Sequence, residues 1–367
     1  MAGYRKTDLL FTVIILILLA STCSAATEPI YVMFTVDVES RSNGNPDRDI
    51  WGRIPHEPED HGIGRMMDIF DRHGVKATFF VNVYEIPKCG EDAIAKICRT
   101  INERGHDLEL HTHPKPMFGV WGMSQANLDT QVRILKWGLE TIKRWTGVRA
   151  IAHRAGAYAA NLDTLKACKL TNIPLEFSYN MAARYCPLSK LNLTMNAPVV
   201  SDGVLCIPVT CYIQASVGSW RSIRFLDIES SSLEEICKVV ADLQAHNVRT
   251  AVIMMHSFSF SRFGKLNRRV ENVLDELLAG FVADPNVKVV TARQLYEIWR
   301  ANPKALSGAD YVPTTGWWMV YSRAWQRLGE GWKNIIVALS PPIFLVLVIS
   351  ASGFWLCQQR RKKKLAA

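Results

Sequence analysis

Gly74-Val-Lys-Ala-Thr-Phe-Phe-Val81 joins a helix-like stretch to a strand-like one, and that junction sets the pattern for the chain. Upstream, residues 61–73 carry Ile63, Met66, Met67 and Phe70 at helical spacing and stop at Gly74. Downstream, 76–83 reads as a strand and 93–104 as the next helix. The alternation continues in both directions. Residues 31–38 form an apolar, β-branched strand and 107–111 a short one. Asn127 caps a long helix with Val132, Leu135, Leu139 and Ile142 on one side. Strands follow at 150–153, 175–178 and 204–210, with a helix at 162–170. Ser232-Leu-Glu-Glu235 is a capping box opening a helix to Ala245. Residues 252–255 are wholly apolar, as in a strand buried on both faces. A helix at 268–282, a strand at 287–290 and a helix at 293–300 complete the series. Repeated β-α units with buried strands predict a parallel sheet or a β/α barrel, whose reacting groups sit at the carboxyl ends of the strands.

The chain has 367 residues and a formal charge of +9. Arg360, Arg361, Lys362, Lys363 and Lys364 supply five of those charges; setting aside Arg5, Lys6 and Asp8 as well leaves +3 for the body. That is too little, and too dispersed, for a nucleic-acid binder. The nine cysteines include no CxxC pair, and Cys206 and Cys211 point to opposite faces of a strand, so they read as small buried hydrophobes. Residues 1–26 have the layout of a secretory signal or an uncleaved signal anchor: Arg5 and Lys6, an apolar run over 9–20, then small residues to Ala26. Residues 335–356 carry no charge and are long enough to cross a bilayer, with Pro341-Pro342 as a kink. The basic stretch inside 357–367 predicts a cytoplasmic tail and an extracytoplasmic domain at 29–302. In the juxtamembrane segment 303–333, Trp318, Tyr321, Trp325, Leu328 and Trp332 share one helix face. That face suits a helix lying on lipid headgroups or one packed on the domain.

Four polar groups stand at the ends of strands. In Thr35-Val-Asp37-Val-Glu39 the two carboxylates share a face and repel, which a cation or a shared proton would relieve; solvated turn carboxylates are the plain alternative. Glu109-Leu-His111-Thr-His113 puts two imidazoles on one side, a bite for a divalent metal or simply two loop histidines. His153-Arg154-Ala-Gly156-Ala-Tyr158 offers a guanidinium fork that can keep a carboxylate ionised. His256 closes the apolar strand 252–255, placed as a general acid or as a satisfied core histidine.

Together, Gly74–Val81, Gly105-His106 leading to His111, Arg154-Ala-Gly156 and the late strand ending in His256 resemble the polysaccharide deacetylase family, the NodB-homology fold of carbohydrate esterase family 4. The resemblance covers about 29–302 and implies a distorted (β/α)7-type barrel with one divalent metal, read as Zn2+. By that pattern Asp37 is the general base, Arg154 orients it and His256 protonates the leaving group. Two positions depart from it. Val38 stands where the family has a second aspartate, and Lys115 where it has its second histidine, so Glu39 and His113 are expected to join His111 as ligands. The implied activity is metal-dependent deacetylation of an N- or O-acetylated sugar at the cell surface, on a carbohydrate or lipid-linked glycan. The alternatives are a non-catalytic glycan-binding protein on the same scaffold and a glycoside hydrolase using Asp37 and Glu39.

Overall fold

Alternation along the first strand, β1 (Ile30–Val38), builds two layers at once. Ile30, Val32, Phe34 and Val36 face the helices and belong to the main core, while Tyr31 and Met33 enter a smaller apolar cluster on the other side of the sheet. Thr35, Asp37 and Glu39 continue that second side, so the same pleat that buries the strand carries carboxylates to its end. The computed structural model describes residues 28–41, 45–262 and 264–340.

The remaining strands are β2 (Thr78–Asn82), β3 (Asp107–Thr112), β4 (Ala152–Ala155), β5 (Leu175–Glu176), β6 (Val199–Ser201), β7 (Val204–Cys206), β8 (Cys211–Val217), β9 (Trp220–Phe225), β10 (Thr250–His256), β11 (Ser261–Arg262), β12 (Lys265–Leu266) and β13 (Val287–Val289). The principal helices are α1 (Ile63–Arg72), α2 (Glu91–Glu103), α3 (Leu128–Thr146), α4 (Leu162–Leu170), α5 (Leu233–Ala245), α6 (Arg268–Ala283), α7 (Ala292–Ala301) and α8 (Trp317–Gln326). The main sheet runs β10-β1-β2-β3-β4-β5-β7-β6, with β13 on the first residues of β1. Its pairs are parallel except β6 with β7. Right-handed βα crossovers make this the natural product of alternating elements.

The α/β class is as expected, but the sheet is a half-barrel rather than a closed ring. Among the described residues β7 and β10 are joined only through the chain between them: Asp227 bridges Met254, and Thr210 Oγ1 accepts from the Val252 amide. Pro208 explains part of the gap, because it has no N–H to extend β7 through 204–210 as anticipated. The strand expected at 175–178 stops at Glu176, where the Ser178 amide and hydroxyl turn back onto the Glu176 carboxylate. The capping box at Ser232 is only half formed. Ser232 Oγ accepts from the Glu235 amide, but the Glu235 carboxylate pairs with Arg323 of α8 instead of returning to the cap. The β8–β9 hairpin was not apparent in the sequence; Gly218, at φ 57°, makes its two-residue turn.

The helices cover the outer face of the sheet. Helix α3 comes close enough that a Cβ on Gly138 would lie 2.4 Å from Tyr84 Oη. Helix α7 closes the lower end of the inner layer with Ala292 and Leu295, and Arg293 pairs with Asp107 and Glu109 there. Of the described cysteines, Cys98, Cys168, Cys186, Cys206 and Cys211 are buried thiols. Among the described residues no helix is long and apolar enough to cross a membrane. The signal segment 1–26, most of the span 335–356 and the tail 357–367 fall outside them.

Candidate active site

The carboxyl ends of β1, β3, β4 and β10 meet on the inner side of the sheet. Asp37 and His256 are register partners on adjacent strands, and His111 and Arg154 are partners on β3 and β4. Arg154 is fully buried. Its Nη1 donates to Asp37 Oδ1 at 2.7 Å, its Nη2 to Thr35 Oγ1 at 2.9 Å and its Nε to the Phe177 carbonyl at 3.3 Å. The guanidinium carbon lies 4.4 Å from the centre of the Phe80 ring. A charge taken out of water in this way is tolerated because every face of the group is engaged.

Asp37 Oδ2 turns the other way, 3.9 Å from His111 Nε2. The His111 Nδ1 lies 2.9 Å from the Arg154 carbonyl, which can only accept, so Nδ1 carries a hydrogen and Nε2 faces the carboxylates. Glu39 Oε2 lies 3.5 Å from that Nε2 and 2.8 Å from His113 Nε2. The donor atoms of Glu39, His111 and His113 all fall within 4.8 Å of one another. Burial by itself would raise the Glu39 carboxyl, yet hydrogen bonds from His111 and His113 and their charge hold it well below the usual carboxylate range. Burial pushes His113 down, but the bond to Glu39 outweighs it and lifts the imidazole above its ordinary value. An acid and a base so mutually perturbed share a proton that a divalent cation can replace. One carboxylate oxygen and two imidazole nitrogens, one of them locked by a backbone carbonyl, are a donor set that fits Zn2+ and its neighbours.

His113 reaches the cluster from just beyond β3, where its amide donates to Asn82 Oδ1. Its ring lies against Gly156, whose missing side chain matters here: a Cβ would come within 2.3 Å of the imidazole. Lys115 is not in that donor group, but it lines a cavity of about 610 Å³ with Glu39, Arg41, Glu85, His113 and Trp121.

On the opposite rim, His256 Nδ1 meets Glu229 Oε1 at 2.8 Å and its amide donates to Ser259 Oγ at 2.8 Å. Nε2 points into the site, 4.0 Å from Glu39 Oε1, and the side chain keeps 26% of its exposure. Burial lowers the affinity of His256 for its proton, but the Glu229 hydrogen bond and charge, with Glu39 and Asp37, raise its pKa to about 9. Glu229 itself, despite burial, is held at about 2 by His256, Ser259 and Arg41.

All six residues singled out as base, orienting group, acid and ligands therefore meet in one place. Glu109 and His153 do not join them. Glu109 accepts from the Ile151 and Ala152 amides at the lower end of the sheet, and His153 lies on the other face against Thr112 and Glu176. Glu229 and Asn82 went unnoticed in the sequence, because each lies in a loop or at a strand end with no periodic signal around it. Tyr158 belongs to the Arg154 motif in the sequence. It follows Ala157 in a left-handed turn, φ 59° and 51°, and its buried hydroxyl has no hydrogen-bond partner among the described residues.

Residues 57–174 match the family model of polysaccharide deacetylases. That stretch contains His111, His113 and Arg154 but not Asp37, Glu39 or His256. No curated protein sequence matches the chain. Among solved structures, one from Mycobacterium smegmatis assigned to the polysaccharide deacetylases aligns at TM-score 0.53 and 20% identity, over 78% of this chain and 94% of its own. A 4-alpha-glucanotransferase from Thermococcus litoralis aligns at TM-score 0.52 and 13% identity, over 84% of this chain and half of its own length. At such identities the two structures speak for the fold alone. The match over 57–174 makes that part of the chain similar to the polysaccharide deacetylases, and the solved structures share its fold.

Proposed function

We propose that the protein is a metal-dependent hydrolase that removes an acetyl group from the nitrogen or oxygen of a glycan. One observation carries the reading. A Glu39–His111–His113 donor set lies between a carboxylate held by arginine and an imidazole held by a carboxylate. A bound divalent cation, Zn2+ by its donors, supplies Lewis-acid polarisation of the acyl group and acidifies a water. The side chains do the rest. Asp37 takes the water's proton on Oδ2, since Oδ1 is occupied by Arg154. As the new C–O bond forms and the old C–N or C–O bond breaks, His256 delivers a proton from Nε2 to the departing nitrogen or oxygen. Its Nδ1–H remains on Glu229, which steadies the imidazolium beforehand. Acetate and the free amine or hydroxyl leave. A glycosidase reading finds less support, because Glu39 is held ionised and Asp37 faces an arginine, so neither is placed as a protonated acid.

The chain ends complete the proposal: a domain held outside the cytoplasm by 1–26 and 335–356, working on a cell-surface or lipid-linked glycan. Helix α8 supports a position near the bilayer. Val320 and Ala324 bury one side against the domain, while Trp318 and Trp325 keep 78% and 53% of their exposure, and Trp332, beyond the helix, keeps 66%. Both settings considered for this helix thus have support, one for each face.

The test combines metal content with acetate release. Asp37→Asn should retain metal and lose turnover, since an amide of similar size cannot take the proton. His111→Ala and His113→Ala should lose metal, and Lys115→Ala should keep it. A parent protein that never holds metal would replace the enzyme with a glycan-binding protein.

A further inference from the structure

The cavity of about 610 Å³ beside Glu39 and His113 falls within the roughly 300–1,000 Å³ of ligand pockets. Lys88, Lys115 and Trp121 also line it. The two lysines stand on matching turns. Ile86-Pro-Lys-Cys89 comes after β2 and Lys115-Pro-Met-Phe118 after β3, each with a proline fixing its start. The turns pack on one another, so both lysines occupy exposed positions on one side of the cavity.

The acids of this wall are already engaged. Glu39 meets His113 at 2.8 Å, and Glu85 accepts from the Ser40 amide and hydroxyl, both at 2.9 Å. Lys88 acts on Glu85 through its charge, and among the described residues neither Lys88 nor Lys115 has a carboxylate at ion-pair distance. Arg41, the third cation of the cavity, is turned to the Ser261 carbonyl at 2.8 Å and lies over the Phe258 ring.

Trp121 is held in place by the turn after β4. A Cβ on Gly122 would come 3.0 Å from the Ala159 methyl, and the Ser124 amide donates to the Ala159 carbonyl at 2.8 Å. From the other side the Leu188 amide donates to the Ala160 carbonyl, and that second loop brings Tyr185 edge-on to Trp121, ring centres 5.3 Å apart. One turn thus fixes both exposed rings, directly downstream of Arg154 and Gly156. A fixed aromatic face suits the apolar side of a pyranose ring. Stacking accounts for a sugar in the cavity; it gives no reason for two lysines without ion pairs beside it.

We propose that this wall is a subsite for a negatively charged sugar next to the acetylated one, with Trp121 stacked on its ring and Lys88 and Lys115 holding its anionic group. The proposal rests on the deacetylase reading of the neighbouring site and names the substrate class that reading leaves open. Ammonium groups act as point charges, so a carboxylate and a sulfate share the chemistry.

The test is calorimetric binding to the full-length protein supplied with Zn2+. The probes are a tetrasaccharide alternating N-acetylglucosamine with glucuronic acid, and the same tetrasaccharide with its carboxylates reduced to alcohols. The acidic form should bind about tenfold more tightly, two exposed charge pairs being at work. Lys88→Gln and Lys115→Gln should each weaken it about two- to fivefold, and together remove the preference. Lys115→Arg should keep it, and Trp121→Ala should weaken both forms alike. Melting temperatures check that the variants fold. Equal binding of the two forms, binding of neither, or a preference that survives the double substitution overturns the proposal. The last would mean a carboxylate seated on the metal, and EDTA would then abolish the preference. A carboxyl-reduced, sulfated analogue separates the sources: tight binding shows that sulfate serves, and weak binding assigns the subsite to a carboxylate. Acetate release from the acidic form, measured alongside, reads the deacetylase activity independently. Its absence with the charge preference intact would count against that activity and not against the subsite.

Discussion

Gly156 and Glu229 show how much of the site depends on residues that carry none of its chemistry. Gly156 leaves room for the His113 imidazole, and any side chain there meets the ring. Gly156→Ala should leave the fold intact and lower metal affinity, by roughly the 10–100-fold typical when the support of a ligand is disturbed; metal titration of the purified protein checks it. Glu229 acts on protonation. A general acid must hold its proton, so activity should persist below the His256 pKa of about 9 and fall as pH rises through it. Removing the Glu229 charge takes away the main influence raising that value. In Glu229→Gln the alkaline limb of kcat/KM against pH should therefore move to lower pH, with little change on the acid side. Asp37, Arg154, His111 and His256 were legible as residue types at strand ends. Glu229 was not, since a lone acid in a loop is chemically silent until the fold brings it to 2.8 Å from an imidazole.

Among the elements, α8 is tied to the domain by an ion pair. Arg323 reaches Glu235 at 2.8 Å, with the carboxylate fully buried in the first turn of α5. Arg323→Ala would leave that charge without its partner, and breaking a buried pair from one side costs about 3–5 kcal/mol. Denaturant unfolding should register a loss of that order, or a separate early transition if α8 detaches alone. Arg323→Met would cover apolar surface yet leave Glu235 equally unpaired, so it should not rescue. The strands and long helices were readable from periodicity, and α4 falls where it was expected, at Leu162–Leu170. The β8–β9 hairpin was not, because Trp220-Arg-Ser-Ile-Arg-Phe225 alternates weakly and buries little. Side chains such as Val217 and Trp220 remain exposed there, at the edge where Trp317 Nε1 donates to the Ser216 carbonyl.

For the whole molecule, the uncharged stretch 335–356 and its basic flank predict an orientation. Protease added to intact cells should digest the domain and spare an epitope placed on residues 357–367. A protected domain, or a digested tail, would reverse the topology and with it the case for a surface glycan. Deleting 335–367 tests the lipid contact of the exposed tryptophans: release of the domain should be complete only if residues 1–26 are cleaved and α8 binds lipid weakly.

Alternation and helical spacing by themselves determined that this chain folds as parallel βα units. Because side chains repeat every two residues along a strand, they also determined that Thr35, Asp37 and Glu39 share one face. What only the tertiary structure decided is which of the candidate groups meet. Whether His113 or Lys115 comes to lie beside Glu39 and His111 turned on the path of the chain after β3 and on the gap at Gly156, neither of which has a sequence period. Closure of the sheet turned on whether β7 could reach β10, and a proline together with single bridges left it open. Local spacing dictates the face a side chain takes on its own element. Its distance from a group more than a hundred residues away, as Arg154 is from Asp37, is set by packing of the intervening helices and by the register of the sheet.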